Sequence, residues 1–248
     1  MNGNAFLTAP LGELVERVLA LKHENRWGGV LVLGTSNLAL LAAKRALAEE
    51  GAFAGLEFLT HQGLASRCWE AMGQGSARLL PEGAPDLLLD RILKGSRDRG
   101  SDPLFQYLNS FSGSRSLVLG AFRELLEARV GPEALAGAAM TAQDRSLAKL
   151  YGSFSEVLAE ARKESFFDSG AFVAESLPGL PLYLKARNIK AAVHYGVGEL
   201  VRVHEEQLEE VAKNVPLIKL AGLGTGTFTN PGASPRPAEL SFAHAQGT

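Results

Sequence analysis

Val30-Leu31-Val32-Leu33-Gly34-Thr35-Ser36-Asn37-Leu38 is the stretch on which the fold turns. Its first four residues are apolar without alternation, the pattern of a strand covered on both faces, and a polar turn then leads into an Ala- and Leu-rich helix running from about Leu38 to Glu50. The same syntax returns at Leu56 to Leu59, followed by Thr60-His61-Gln62 and another helical pattern. Further strands are predicted at Ile189 to Tyr195 and Pro216 to Leu220, with a helix around Leu200 to Val211 between them. Strands that alternate with helices imply a mostly parallel sheet, so the expected class is α/β.

Working outward, Ala5 to Thr8 reads as a short first strand, and Leu11, Leu14, Val15 and Val18 at helical spacing read as its helix. From about Pro81 to Leu177 no strand is predicted. Val118, Phe122, Leu125, Leu126 and Arg129 outline one amphipathic helix there, and Leu147, Leu150, Tyr151, Phe154, Val157, Leu158 and Ala161 a longer one. The expected organisation is therefore an α/β core from 1–80 and 179–221, an all-helical insertion over 81–178, and a Gly- and Pro-rich linker or tail at 222–248.

The chain has 248 residues, 46% of them hydrophobic and 21% charged, enough to bury a core without disulfides or metal. A net charge of -2 excludes a protein coated in basic residues, so any nucleic-acid site must be a local patch. The single Cys68 can form neither an internal disulfide nor a multi-thiolate metal site, which fits a reducing compartment. Glu13, Glu16, Arg17 and Lys22 interrupt the N-terminal apolar run, and no stretch approaches the roughly 20 apolar residues of a spanning helix. The expected location is the cytoplasm, with no membrane partner.

A phosphate-binding loop places glycines, a lysine and a hydroxyl between a first strand and its helix, because converging amides and a cation hold the phosphates. The corresponding place here is Thr8-Ala9-Pro10-Leu11-Gly12-Glu13. It has one glycine and no lysine, Pro10 removes a donor, and Glu13 puts a carboxylate where phosphate would sit. Gly12 and Glu13 read either as a degenerate nucleotide site or as part of a helix that never met phosphate. The strand Ile189 to Tyr195 ends in His194-Tyr195-Gly196, without the acids that would hold magnesium; His194 is a ligand contact there or an ordinary packed histidine. Gly222, Gly224 and Gly226 follow a strand, but their spacing is not that of a dinucleotide loop and no helical pattern follows.

The groups suited to nucleic acid are of two kinds. Arg91, Lys94, Arg97 and Arg99 cluster at the end of a helix predicted to begin near Pro85, where they suit either phosphates or the helix dipole. Thr35, Ser36, Asn37, Thr60, His61 and Gln62 carry hydroxyls, amides and an imidazole that can bond phosphates or cap helices.

Val32 to Ala39 followed by Leu59 to Arg67 resembles the paired single-strand-contacting motifs of superfamily-one helicases of the UvrD type. In order of parts the chain is similar to the N-terminal region of the B subunit of AddAB-type helicase-nucleases, the inactivated-helicase exonuclease family related to RecC. Phe122-Arg123-Glu124-Leu125 with Gly131 to Leu135, Leu147 to Tyr151 with Phe154 and Asp168, and Val193 to Gly196 with Gln207-Leu208 are similar to later motifs of that family. The resemblance implies a P-loop-NTPase-like helicase core with a helical insertion, no cofactor, and a role in DNA end processing and recombinational repair. It implies DNA, as a single strand or duplex end, and a helicase-nuclease A subunit as partners. The degenerate nucleotide loop implies no activity of this segment's own. The alternative is a small-molecule α/β enzyme or nucleotide-binding protein using the strand ends and the Gly222–Gly226 segment.

Overall fold

The computed structural model describes residues 5–51, 54–96, 102–196 and 200–221. Four strands, β1 (Gly29–Gly34), β2 (Leu56–Thr60), β5 (Ile189–Gly196) and β6 (Leu217–Ala221), form one parallel sheet in the order β2-β1-β5-β6. Alternation within β1 explains the lack of alternation in its sequence. Val30 and Val32 face α1 (Ala5–Glu24) and α2 (Asn37–Glu49), whereas Leu31 and Leu33 face α3 (His61–Ala71), α10 (Leu180–Ala186) and α11 (Arg202–Asn214). All four side chains have no exposed surface. The core is thus a helix-sheet-helix sandwich, and the α/β expectation holds.

One expectation fails at the start of the chain. Ala5 to Thr8 is not a strand but the beginning of α1, a single helix through Glu24. Ala5, Phe6 and Leu7 are not β-branched, and the spacing Leu7, Leu11, Leu14, Val18, Leu21 continues one helical stripe without a break. Leu14, Val18 and Leu21 bury that stripe against the sheet, while Lys22 closes the far end by donating to the Gly28 carbonyl at 2.9 Å.

The long connection from β2 to β5 holds the expected insertion: α4 (Ala84–Gly95), α5 (Pro103–Ser110), α6 (Ser112–Glu127), α7 (Pro132–Ala138) and α8 (Ala142–Lys163). Leu89, Leu93, Phe105, Leu108, Phe122, Leu150, Tyr151, Phe154 and Leu158 give it a core of its own. It is not wholly helical. A two-residue strand β4 (Phe166–Phe167) pairs in parallel with β3 (Arg78–Leu79), because the chain returning from α8 must satisfy its backbone beside the segment that left. Arg129 lies beyond α6, not in it: with φ 62° it is the left-handed residue of a Schellman closure, and Arg129 and Val130 donate to the carbonyls of Leu126 and Leu125.

Helix α9 (Ser169–Ser176) couples insertion to core. Trp69 of α3 is buried against Phe167 and Phe172 and donates its indole N–H to the Phe172 carbonyl at 3.0 Å. Within the insertion, the Tyr151 hydroxyl donates to the Val130 carbonyl at 2.7 Å. Tyr151→Phe is expected to cost about 1 kcal/mol, since it removes one neutral hydrogen bond and leaves the packing intact. A lowered urea midpoint at unchanged m value is the check.

Candidate functional site

The sheet reverses its winding between β1 and β5: α2 leaves β1 toward one face, and α11 leaves β5 toward the other. Ligands of open parallel sheets bind outside the carboxyl ends of the strands at such a point. Here the crevice is closed by Thr35, whose side chain packs so tightly on Gly196 that a Cβ there would come within 2.3 Å of the threonine methyl. The open space lies beside it, between the turn that follows β1 and the β2–α3 junction.

Because β1 and β2 pair in register, with Gly34 opposite Thr60, the polar turn after β1 and the β2–α3 junction emerge side by side; Thr60 to Gln62 is not a turn, since Thr60 ends β2 and His61 begins α3. Thr35, Ser36, Asn37, Thr60, His61 and Gln62 all line one cleft of about 390 Å³. Its opposite wall is made by Val203 and His204 at the start of α11, Ser169 at the start of α9, and Glu127 at the end of α6. All six residues singled out from the paired motifs therefore meet, although they differ in what they offer. Ser36 and Thr60 cap α2 and α3, accepting from Ala39 N–H at 3.2 Å and Gly63 N–H at 3.1 Å. Thr35, Asn37 and Gln62 are exposed.

His61 is only 3% exposed, so its ring is not a surface phosphate contact. Gln207 of α11, itself fully buried, donates its amide to the His61 carbonyl at 3.2 Å and presents its oxygen to His61 Nδ1 at 2.8 Å. That orientation puts the imidazole proton on Nδ1 and leaves Nε2 as an acceptor. His204 stacks on His61 with ring centroids 4.1 Å apart, and the His194 ring lies 5.4 Å from that of His61, tilted by 49°. His194 is thus a packed member of this cluster. Burial pushes the imidazoles of His61 and His194 down to about 4, reinforced for His61 by His204 and for His194 by His61 and Lys219. Burial lowers His204 as well. All three rings are neutral near pH 7, and the Nε2 atoms of His61 and His194 are buried without a hydrogen-bond partner. Gln207 and His204 were not singled out in the sequence as members of a histidine cluster, and their partner His61 lies 146 residues from Gln207 in the chain.

The degenerate nucleotide site at Gly12 and Glu13 is withdrawn. Both lie on the exposed face within α1, where Glu13 pairs with Arg17 at 3.8 Å; with no strand before them they are not at a strand end. The turn between β1 and α2, Thr35 and Ser36, contains no lysine either. Of the basic cluster, Arg91 and Lys94 are exposed on α4, but Lys94 pairs with Asp90 at 2.5 Å, and Asp90 is held in turn by Arg115 at 2.9 Å. The end of α4 that reaches the grooves of this face is the opposite one, Pro85 and Asp86. Arg97, Arg99 and the segment Gly222 to Gly226 lie outside the described residues. Cys68 is buried and its thiol is pushed up to about 12 by desolvation, an inert core residue. Among the described residues no group of His, Cys, Asp and Glu is arranged to hold a metal ion, and no helix is long and apolar enough to cross a membrane.

These features define the class: a three-layer α/β domain with a parallel four-stranded sheet, a helical insertion, and a polar cleft at the carboxyl ends of β1 and β2. No protein-family model and no curated protein matches the sequence.

Proposed function

We propose that this chain is a noncatalytic, P-loop-like helicase core, the N-terminal region of a B-type subunit in a helicase-nuclease, and that its cleft holds single-stranded DNA during end processing. The observation that carries this reading is the convergence of Thr35 to Asn37 and Thr60 to Gln62 on one cleft, the pair of segments whose sequences resemble strand-contacting helicase motifs. Neutral hydroxyl and amide donors suit phosphodiester oxygens without fixing base sequence. A motor function is not part of the proposal, because the turn after β1 carries no lysine and β5 ends in His194-Tyr195-Gly196. The helicase-nuclease A subunit is the partner this assignment requires.

Purified protein is expected to bind oligo(dT) at low salt, with log affinity falling linearly in log salt, and to show no ATP turnover stimulated by DNA. Absence of DNA binding at low ionic strength, or DNA-stimulated ATP hydrolysis, overturns it. One observation favours a second reading as a small-molecule site: the unpartnered Nε2 atoms of His61 and His194 beside the cleft. Equilibrium dialysis with ATP and NAD separates the two, since only the second reading requires saturable uptake.

A further inference from the structure

The cleft has a neighbouring depression on either side. Asn37 and Thr60 also line a second depression of about 400 Å³ between α2 and the edge strand β2, and Gln62 and Ser169 also line a third, of about 400 Å³, between α4, α6 and α8. Shared wall residues set the three side by side in a row. Their charges are unevenly placed. Glu127 in the middle section is engaged by the Ser169 hydroxyl at 2.7 Å, and Asp168 in the third is paired with Arg162 at 2.8 Å. Glu82 and Asp86 lie on the α4 side of the third section.

Two cations line this row at its opposite ends. Lys44 stands in the α2–β2 section with its ammonium 5.4 Å from the centre of the Phe58 ring, and Arg123 stands on α6 in the third. Neither has an ion pair among the described residues, whereas Lys94, Arg67, Arg162, Arg187 and Arg202 are all engaged by carboxylates. The ring face under Lys44 holds its head group in place at small cost to its charge. Between the two cations the lining offers neutral donors from Thr35, Asn37 and Gln62.

We infer that the row is one groove, the track of one single DNA strand whose phosphates are anchored by Lys44 at one end and Arg123 at the other, with the Arg91–Lys94 end of α4 off the path. The inference rests on the function proposed above and names the residues that would carry it. Glu82 and Asp86 repel phosphodiesters and so confine the backbone to the Arg123 side. Phe58 and the exposed Leu41 give the Lys44 end apolar surface on which a base can lie.

The test measures the salt dependence of binding to a fluorescent oligo(dT) of about 12 nucleotides, within the site sizes common for single-strand grooves. Lys44→Ala and Arg123→Ala are each expected to reduce the log–log slope by about 0.7, the contribution of one released counterion on a single strand. Lys44→Arg should retain the slope, and the double variant Arg91→Ala/Lys94→Ala should leave it unchanged. Circular dichroism confirms that these exposed substitutions leave the fold intact. If the wild-type chain binds but Lys44→Ala and Arg123→Ala keep its slope, this track is wrong and the parent reading survives. If the wild-type chain binds no oligo(dT), both fail.

Discussion

Replacing Gly179 by alanine is expected to destabilise the fold by about 3 kcal/mol or more, the upper part of the range for overpacking a tight core. Gly179 is buried in the 3-10 turn Leu177–Gly179, which connects α9 to α10 against α3. Its backbone is ordinary, with φ -80°, so alanine brings no conformational strain. The obstacle is space. A Cβ there would lie 2.2 Å from the Cys68 carbonyl oxygen and 2.8 Å from its carbon, and these are helix backbone atoms that cannot swing aside. Relief requires α3 and the turn to separate by about 1 Å, which opens the layer formed by Leu64, Cys68, Leu180 and Leu184. Gly120→Ala is the control: nothing lies within 4 Å of its added carbon, and inside helix α6 the change should stabilise by about 0.5–1 kcal/mol. Chemical denaturation of the two variants should move in opposite directions; a Gly179→Ala midpoint equal to wild type would refute this packing.

Gln207→Leu is expected to cost about 2–5 kcal/mol and to loosen α11 from the β2–α3 junction. The substitution keeps the volume but strips two bonds at once: the His61 Nδ1 proton is left buried and unsatisfied, and the His61 carbonyl, at the first residue of α3, loses its bond from outside the helix. The same cluster makes the fold acid-sensitive. His61 and His194 titrate near 4 when folded and near 6.5 when unfolded, so between those values the unfolded chain binds more protons. Their contribution is complete above about pH 6.5 and is lost as pH falls toward 4, at up to about 1.4 kcal/mol per pH unit for each ring. The two rings repel one another once charged, so the losses do not simply add. Thermal midpoints should drop steeply from pH 7 to pH 5, and His194→Phe should flatten that fall. A midpoint flat across this range would show that the rings are solvated.

Much of the scaffold was legible because it is written in local patterns. The doubled apolar run, polar turn and helix identified β1, α2, β2 and α3, and the two-faced apolarity of Val30 to Leu33 required helices on both sides. The helical insertion was legible from the stripes of α6 and α8, which fill one core around Phe122 and Tyr151. The error at Ala5 to Thr8 has a local cause: a few apolar residues before a proline satisfy strand and helix patterns equally, and the burial of the stripe that continues them tips the balance.

Sequence alone determined that Thr35 to Asn37 and Thr60 to Gln62 lie at strand ends, and parallel pairing then obliged them to leave the sheet at the same edge. Only tertiary structure decided which of them face a ligand and which are spent inside. His61 sits at the start of α3, His194 on β5, and Gln207 and His204 on α11; their meeting depends on how α11 crosses the sheet, which no local spacing encodes. Burial likewise depends on everything packed around a site. That is why a histidine between a half-buried threonine and an exposed glutamine is core, whereas Lys44, a cation on α2, stands at the edge of the groove.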